Sequence, residues 1–167
     1  MKLRYLGMVA AVALLAACAN NPSTTTGGQT STGTTTAPSG GQMSTSSTTP
    51  GSQADFVQNV GDRVFFDLNH SDLRPDAVKE LQQWVVFLKK YPNDHLTIEG
   101  HCDERGTREY NLALGDRRAN AVKNYLVAQG VSAANIKTIS YGKERPAVLG
   151  HDEAAWAQNR RGVGVIN

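Results

Sequence analysis

The chain has few cysteines and carries no charge over most of its first third. Only two of its 167 residues are cysteines, which excludes a fold held together by several disulfides. Residues 5–54 contain no Asp, Glu, Lys, Arg or His. The apolar run from Tyr5 to Leu15 has about 11 residues, whereas a membrane-spanning helix needs roughly 20. This run is therefore too short to cross a bilayer.

The chain has only a small excess of positive charge, with a formal net charge of +2. Without Lys2 and Arg4, which precede the apolar run, 15 of its 17 basic residues remain, against 15 acidic residues. A chain without net formal charge has no electrostatic basis for binding phosphate backbones. We therefore do not expect nucleic acid as a partner.

Motifs of the common catalytic and metal centres are missing as well. The sequence has no Gly-x-Ser-x-Gly turn, no phosphate-cradling loop, no Cys-x-x-Cys and no histidine pair at i, i+4. A zinc centre at His101, Cys102 and Asp103, completed by His70 or His151, is a weak alternative. Successive strand residues point to opposite faces, so at most His101 and Asp103 could share an ion. We predict a non-catalytic protein without metal or cofactor.

The segment Leu15-Ala16-Ala17-Cys18 carries the clearest localisation signal. It follows a basic start and a short apolar run, and it resembles the lipobox of bacterial lipoproteins. The resemblance implies a signal peptide over residues 1–17, cleavage before Cys18 and acylation of that thiol. Ala19 replaces the Asp that retains such proteins at the inner membrane, which favours an outer-membrane anchor with the folded part in the periplasm. The alternative is an ordinary secretory signal with an incidental cysteine.

Residues 18–54 are predicted to be a lipidated cysteine followed by a disordered tether. From Ala19 onward this segment consists mainly of Thr, Ser, Gly, Gln and Pro. It has too few apolar side chains to offset the conformational entropy lost on ordering. Residues 55–167, about 113 residues, suffice for one domain with its own core.

Strand and helix patterns alternate along this domain, which predicts an α/β fold (an α+β sandwich). Gly162 and Gly164 share one face of the last strand and leave room there for a helix backbone to approach closely. The predicted strands are Arg63–Leu68, His95–Glu99, Asn135–Tyr141 and Val163–Ile166, and the predicted helices start near Pro75, Thr107 and Asp152.

Arg118 is out of place in the second of these helices. It lies between Leu114 and Val122 on the apolar stripe, and Asn111 lies two turns earlier on the same face. A desolvated guanidinium without a partner is unfavourable. The candidate partner is Asp103, just past the second strand. Two interpretations remain open: a buried Arg118–Asp103 salt bridge, or a site that holds one cation and one anion apart for a zwitterionic ligand.

The same residues resemble a known signature. The segment from Gly100 to Leu126 resembles the signature of the OmpA-like peptidoglycan-binding domain. The matching residues are Asp103, Gly106, Tyr110-Asn111, Leu114 and Arg117-Arg118-Ala119. Segments 140–155 and 159–161 match a lipoprotein branch of that family. The resemblance covers nearly all of residues 61–166, and it implies a mixed four-stranded sheet with helices packed on it.

The resemblance implies a binding site for the diaminopimelate residue of the peptidoglycan stem peptide. In this family an Asp and an Arg, matching Asp103 and Arg118, hold the ammonium and the carboxylate of that residue. The pair after the first strand, Leu68 and Asn69, also contributes, although many relatives have Asp where this chain has Asn69. Asn111 is expected to contact the ligand or to fix the loop. The predicted site is completed by Arg105 and Leu114.

The family also implies a role and partners. Members of the lipoprotein branch tether the outer membrane to the cell wall within the Tol system, which supports envelope integrity and outer-membrane constriction at cell division. They bind the periplasmic propeller protein TolB, so TolB and other Tol proteins are expected partners. The sequence gives no independent evidence for a protein interface, and a protein-interaction module remains the second hypothesis beside a peptidoglycan-binding one.

Overall fold

A computed structural model describes residues 48–167 of the protein. The predicted signal peptide, Cys18 and most of the predicted tether lie outside these residues. In the described part of the chain, no helix is long and apolar enough to cross a membrane. The elements in chain order are α1 (Gln53–Asn59), β1 (Arg63–Phe65), α2 (Pro75–Lys90), β2 (Leu96–His101), α3 (Arg108–Ala128), β3 (Ile136–Gly142), α4 (Glu153–Asn159) and β4 (Arg161–Ile166).

The strands form one mixed sheet in the order β1-β4-β2-β3. Strand β4 pairs antiparallel with both β1 and β2, and β2 pairs parallel with β3. This arrangement confirms the α/β prediction, with a mixed four-stranded sheet and helices packed on it.

The long helices follow their sequence signals. Helix α2 starts at Pro75, whose missing N–H would have no helical partner at that position. Helix α3 starts after Thr107, whose hydroxyl accepts a hydrogen bond from the Tyr110 N–H at 3.2 Å. The buried residues of α3 recur at steps of three and four, as expected, and include Leu114, Arg118 and Val122.

Helix α1 is an element that the sequence analysis missed. Ser52 caps it by accepting a hydrogen bond from the Asp55 N–H at 3.2 Å, and Phe56 is buried in the core. The Gln53 side chain accepts a hydrogen bond from the Ile166 N–H at 2.6 Å, which joins the helix to the end of β4. The predicted domain start at residue 55 therefore falls inside α1.

Strand β1 ends earlier than predicted. The predicted strand Arg63–Leu68 contains only three strand residues, because the chain turns after Phe66. The His70 N–H donates to the Asp67 carbonyl at 3.2 Å, and Asn69 adopts a left-handed conformation with φ 60°. Asn tolerates this conformation better than most residues.

The close approach of a helix backbone occurs at a different glycine from the ones expected. At Gly164 the space is filled by the Trp84 and Phe56 rings, so the prediction of a helix backbone there is wrong. A helix backbone instead meets β2 at Gly100, where an added Cβ would lie only 1.8 Å from the Gly115 carbonyl oxygen. Helix α3 therefore packs directly on β2.

Candidate functional site

The site residues come together because of strand direction. Strands β1 and β2 run the same way, since both are antiparallel to β4. Their carboxyl ends and the start of β4 consequently meet at one end of the sheet. The loop of residues 67–71 follows β1, Asp103 lies two residues past β2, and Arg160 directly precedes β4. The Gly115–Gly100 contact brings Arg118 to the same place.

Arg118 is fully buried and is held by backbone carbonyls. Its Nε donates to the His70 oxygen at 2.9 Å, and its two Nη atoms donate to the His101 and Asp67 oxygens at 2.8 and 2.9 Å. Among the residues that the structure describes, Arg118 has no carboxylate in salt-bridge range. Of the two interpretations that the sequence left open, the buried Arg118–Asp103 salt bridge does not form, because the loop after β1 and the end of β2 supply carbonyls to the guanidinium instead.

The three backbone carbonyls do not use every donor of Arg118. A guanidinium has five N–H groups, and three are used, so each Nη keeps one N–H. Burial lowers the pKa of this guanidinium from its ordinary value, while the nearby Asp103 carboxylate acts in the opposite direction. Because an arginine stays protonated in proteins, the site retains a buried cation that lacks a carboxylate partner.

Asp103 is nearly buried, and two other arginines bind it. The Arg105 backbone N–H and Nε contact Oδ1 at 3.1 and 3.2 Å, and Arg105 Nη2 contacts Oδ2 at 2.6 Å. Arg160 Nη1 lies 3.4 Å from Oδ2. Burial on its own would raise the pKa of Asp103, but the hydrogen bonds from Arg105 and Arg160 hold it below its ordinary value. The carboxylate is therefore ionised at neutral pH.

Arg160 is a site residue that sequence reasoning missed. Its Nε donates to the Phe66 carbonyl at 3.1 Å, and its Nη2 contacts Glu153 at 2.5 Å. Arg160 and Arg118 thus bind the adjacent carbonyls of Phe66 and Asp67. The available signal was a pair of arginines directly before a strand that otherwise contains only glycine and apolar residues.

Arg105 lies beside a second cluster of side chains, formed by Trp156, Glu104 and His151. The Arg105 guanidinium lies 4.0 Å from the centre of the Trp156 ring, within cation–π range. The Trp156 Nε1 donates to Glu104 at 2.9 Å, and His151 Nδ1 lies 2.7 Å from the same carboxylate. This hydrogen bond to Glu104 raises the pKa of His151 above its ordinary value. Sequence reasoning gave Trp156 no role.

The remaining predicted residues take different positions. Asn111 is buried and donates to the carbonyls of Arg105 and Thr107 at 2.8 and 3.0 Å, so it fixes the loop. Leu68 and Asn69 are exposed at the rim. Leu114 is buried on α3. Among the predicted residues, the structure therefore brings Asp103, Arg105, Arg118 and Asn111 together and places Leu68 and Asn69 beside them.

Cys102 and His101 are neighbours at the end of β2, and their side chains have different surroundings. The Cys102 thiol donates to the Asn111 carbonyl at 3.3 Å, and burial raises its pKa. His101 Nε2 lies 3.3 Å from Glu99. Within residues 48–167, no group of three or more His, Cys, Asp or Glu side chains is placed to hold a metal ion.

The buried His101 gives the domain a pH dependence. Burial, together with the nearby Arg161, lowers the pKa of His101 to about 4. The unfolded chain has a histidine pKa near 6.5, so it binds more protons than the folded protein between these values. The free energy of unfolding should therefore fall by about 2 kcal/mol as the pH drops from 7 to 4.5. Urea unfolding at both pH values measures this loss.

The variant His101→Gln removes this titration and should show a correspondingly smaller loss. The exposed His95 supplies the control, since His95→Gln should keep the wild-type pH dependence. A His101→Gln protein that loses as much stability as the wild type would show that another group is responsible.

Comparison with known proteins agrees with the fold. The OmpA family model matches residues 65–160, a range that includes Asp103, Arg118 and Arg160. The peptidoglycan-associated lipoprotein of Agrobacterium fabrum is 57% identical over 118 residues, which are 71% of this chain and 67% of that protein. That of Pseudomonas aeruginosa is 56% identical over 97 residues, 58% and 57% of the two chains.

A solved structure that matches this chain is also a peptidoglycan-associated lipoprotein. The crystal structure of the peptidoglycan-associated lipoprotein from Burkholderia pseudomallei matches with a TM-score of 0.62 at 47% identity, covering 64% of this chain and 90% of that one. The chain belongs to the OmpA family. The three relatives named above are peptidoglycan-associated lipoproteins.

Proposed function

We propose that the protein is an outer-membrane lipoprotein that binds peptidoglycan non-covalently through the diaminopimelate of the stem peptide. It thereby tethers the outer membrane to the cell wall. One observation carries the proposal: a nearly buried carboxylate, Asp103, and a buried guanidinium with free N–H groups, Arg118, lie at the same end of the sheet without pairing to each other. The similarity to peptidoglycan-associated lipoproteins supports it.

The chemistry of diaminopimelate suits these two groups. Its free end carries an ammonium and a carboxylate on one carbon. Asp103 accepts hydrogen bonds from the ammonium, and the two remaining Nη–H groups of Arg118 donate to the carboxylate. The backbone carbonyls that hold Arg118 and the Arg160 contact that holds Asp103 fix both groups before binding, which reduces the entropy lost on association.

The rim contributes to the peptide part of the ligand. Leu68 and Asn69 are exposed beside the charged groups, and the Asn69 amide can hydrogen-bond a peptide bond of the stem. We propose binding rather than catalysis. The Cys102 thiol is held protonated by burial and donates to a carbonyl, so it is not activated as a nucleophile.

Sedimentation with purified sacculi tests this function. The protein should pellet with sacculi whose stem peptides contain diaminopimelate, and free meso-diaminopimelate should release it. Cadaverine serves as the control competitor, because it has the ammonium groups of diaminopimelate but neither carboxylate. Pelleting that free diaminopimelate does not reduce would argue against the proposed site.

The anchor is proposed from the lipobox at Leu15–Cys18. Acylation of Cys18 would hold the protein on the outer membrane, and the predicted tether that follows it would let the domain reach the wall. We expect Cys18→Ala to abolish fatty-acid labelling and to leave any exported protein unanchored, because no other side chain of the lipobox can form the thioether. Metabolic labelling with palmitate measures this. Labelling retained in the variant would place the anchor elsewhere.

We further propose that the protein acts in the Tol–Pal system, with TolB and other Tol proteins as partners, in envelope integrity and cell division. The resemblance to the lipoprotein branch of the family supports this role. Exposed apolar side chains near the site, Leu68 and Leu149, offer contact area for a protein. Competition between soluble stem peptide and TolB for the purified protein tests whether the two surfaces overlap.

A further inference from the structure

We propose that Arg105 competes with the ligand for Asp103. In the unliganded protein the Arg105 guanidinium binds the Asp103 carboxylate, and the ammonium of the ligand displaces it. The inference rests on the proposed function, in which Asp103 receives that ammonium. It assigns Arg105 a role other than ligand contact: Arg105 sets how tightly and how fast the site binds.

The contacts of Arg105 show why the ligand must displace it. Its Nη2 and Nε bind both oxygens of Asp103, at 2.6 and 3.2 Å. These are the same oxygens that an incoming ammonium needs. The guanidinium supplies one positive charge to this carboxylate, as the ligand would, so the two cations compete for one position. With Arg105 in place, the Asp103 side chain is only 5% exposed.

The surroundings allow Arg105 to leave while Arg160 stays. The Arg105 side chain is 33% exposed and lies on the solvent side of Asp103, whereas that of Arg160 is only 8% exposed. Arg160 also keeps its bonds to Phe66 and Glu153. After Arg105 moves away, Asp103 therefore still has a cationic neighbour and remains ionised for the ligand.

A place for the displaced guanidinium already exists. Glu153 Oε2 lies 3.9 Å from Arg105 Nη2, and the Glu153 side chain is 66% exposed. The Trp156 ring, held by its hydrogen bond to Glu104, stacks on the guanidinium and can stay in contact as it turns toward Glu153. Displacement then exchanges one carboxylate partner of Arg105 for another instead of leaving it unpaired.

The variant Arg105→Ala tests the inference. Removing the competitor should tighten binding of a stem tripeptide ending in meso-diaminopimelate by about 5- to 30-fold, the range expected for a partly exposed bidentate ion pair with one cation–π contact. The gain in affinity should come from faster association, because the variant changes only the fraction of molecules in which Asp103 is not occupied by residue 105. Arg105→Lys, which keeps the charge but loses the two-pronged contact, should gain less.

A matched control removes a neighbouring charge without touching Asp103. Arg108 is exposed and pairs with Glu144 at 3.3 Å, so Arg108→Ala should bind as the wild type does. The melting temperature of each variant shows whether it is folded. An Arg105→Ala protein that binds with unchanged or weaker affinity overturns the inference, since Arg105 would then be neutral or a direct ligand contact.

The outcomes separate this inference from the proposed function. If the wild-type protein does not bind the tripeptide, both fail. If the wild type binds and Arg105→Ala gains nothing, only the inference fails. The Arg105 Nε–H resonance in ¹⁵N NMR gives a second readout: it should shift on ligand saturation as its bond to Asp103 breaks, and an unchanged resonance would contradict displacement.

Discussion

Replacing Arg118 with lysine should destabilise the domain by about 3–5 kcal/mol and abolish ligand binding. The guanidinium donates in three directions to the carbonyls of His70, His101 and Asp67. A single ammonium cannot reach all three, and each buried carbonyl left unpaired costs about 1–3 kcal/mol. The loop after β1 would also lose its attachment to α3. Urea unfolding measures the loss of stability.

The neighbouring Arg117 supplies the control for this change. It is exposed on α3, so Arg117→Lys should alter neither stability nor affinity. An Arg118→Lys protein as stable as the wild type would contradict the conclusion that this residue joins the loop after β1 to the end of β2.

Replacing Asp103 with alanine should weaken binding of the diaminopimelate stem peptide by roughly 30- to 1000-fold, equivalent to about 2–4 kcal/mol. The ammonium of the ligand would lose its acceptor and face Arg160 instead, a cation beside a cation. Asp103→Asn should lose nearly as much, because it keeps the shape of the side chain but removes the charge. Calorimetric titration measures the affinities.

The exposed Asp72 provides a carboxylate control outside the site. Asp72→Ala should bind as the wild type does, which separates the loss of one negative charge from the loss of the specific acceptor. A folded Asp103→Ala protein with native affinity would rule out Asp103 as the acceptor of the ligand's ammonium.

The fold was largely predictable because its long elements carry regular patterns. The predicted starts of α2 and α3, near Pro75 and Thr107, lie within one residue of the observed ones. Helix α1 was missed since it has seven residues and only one fully buried side chain, Phe56. Short elements of this kind depend on tertiary contacts, here the bond between Gln53 and Ile166, which no local pattern reveals.

The site was only partly predictable for a related reason. The helical spacing predicted that Arg118 is buried. It did not predict the partners of Arg118, because these are backbone carbonyls, which every residue type has. The sequence left open whether Asp103 pairs with Arg118, and in the structure it does not. Asp103 instead binds Arg105, two residues away, and Arg160, which is 57 residues distant along the chain. Contacts of that range depend on strand order, which the sequence pattern alone did not specify.

The central claim is that Asp103 and Arg118 hold the two charges of one diaminopimelate head group. Calorimetric titration of the purified wild-type protein with two stem tripeptides, one ending in meso-diaminopimelate and one in lysine, tests this without altering the fold. The lysine peptide lacks only the carboxylate that Arg118 should bind. We expect the lysine peptide to bind at least about 30-fold more weakly, a difference of about 2 kcal/mol. Equal affinity for the two peptides would contradict the claim.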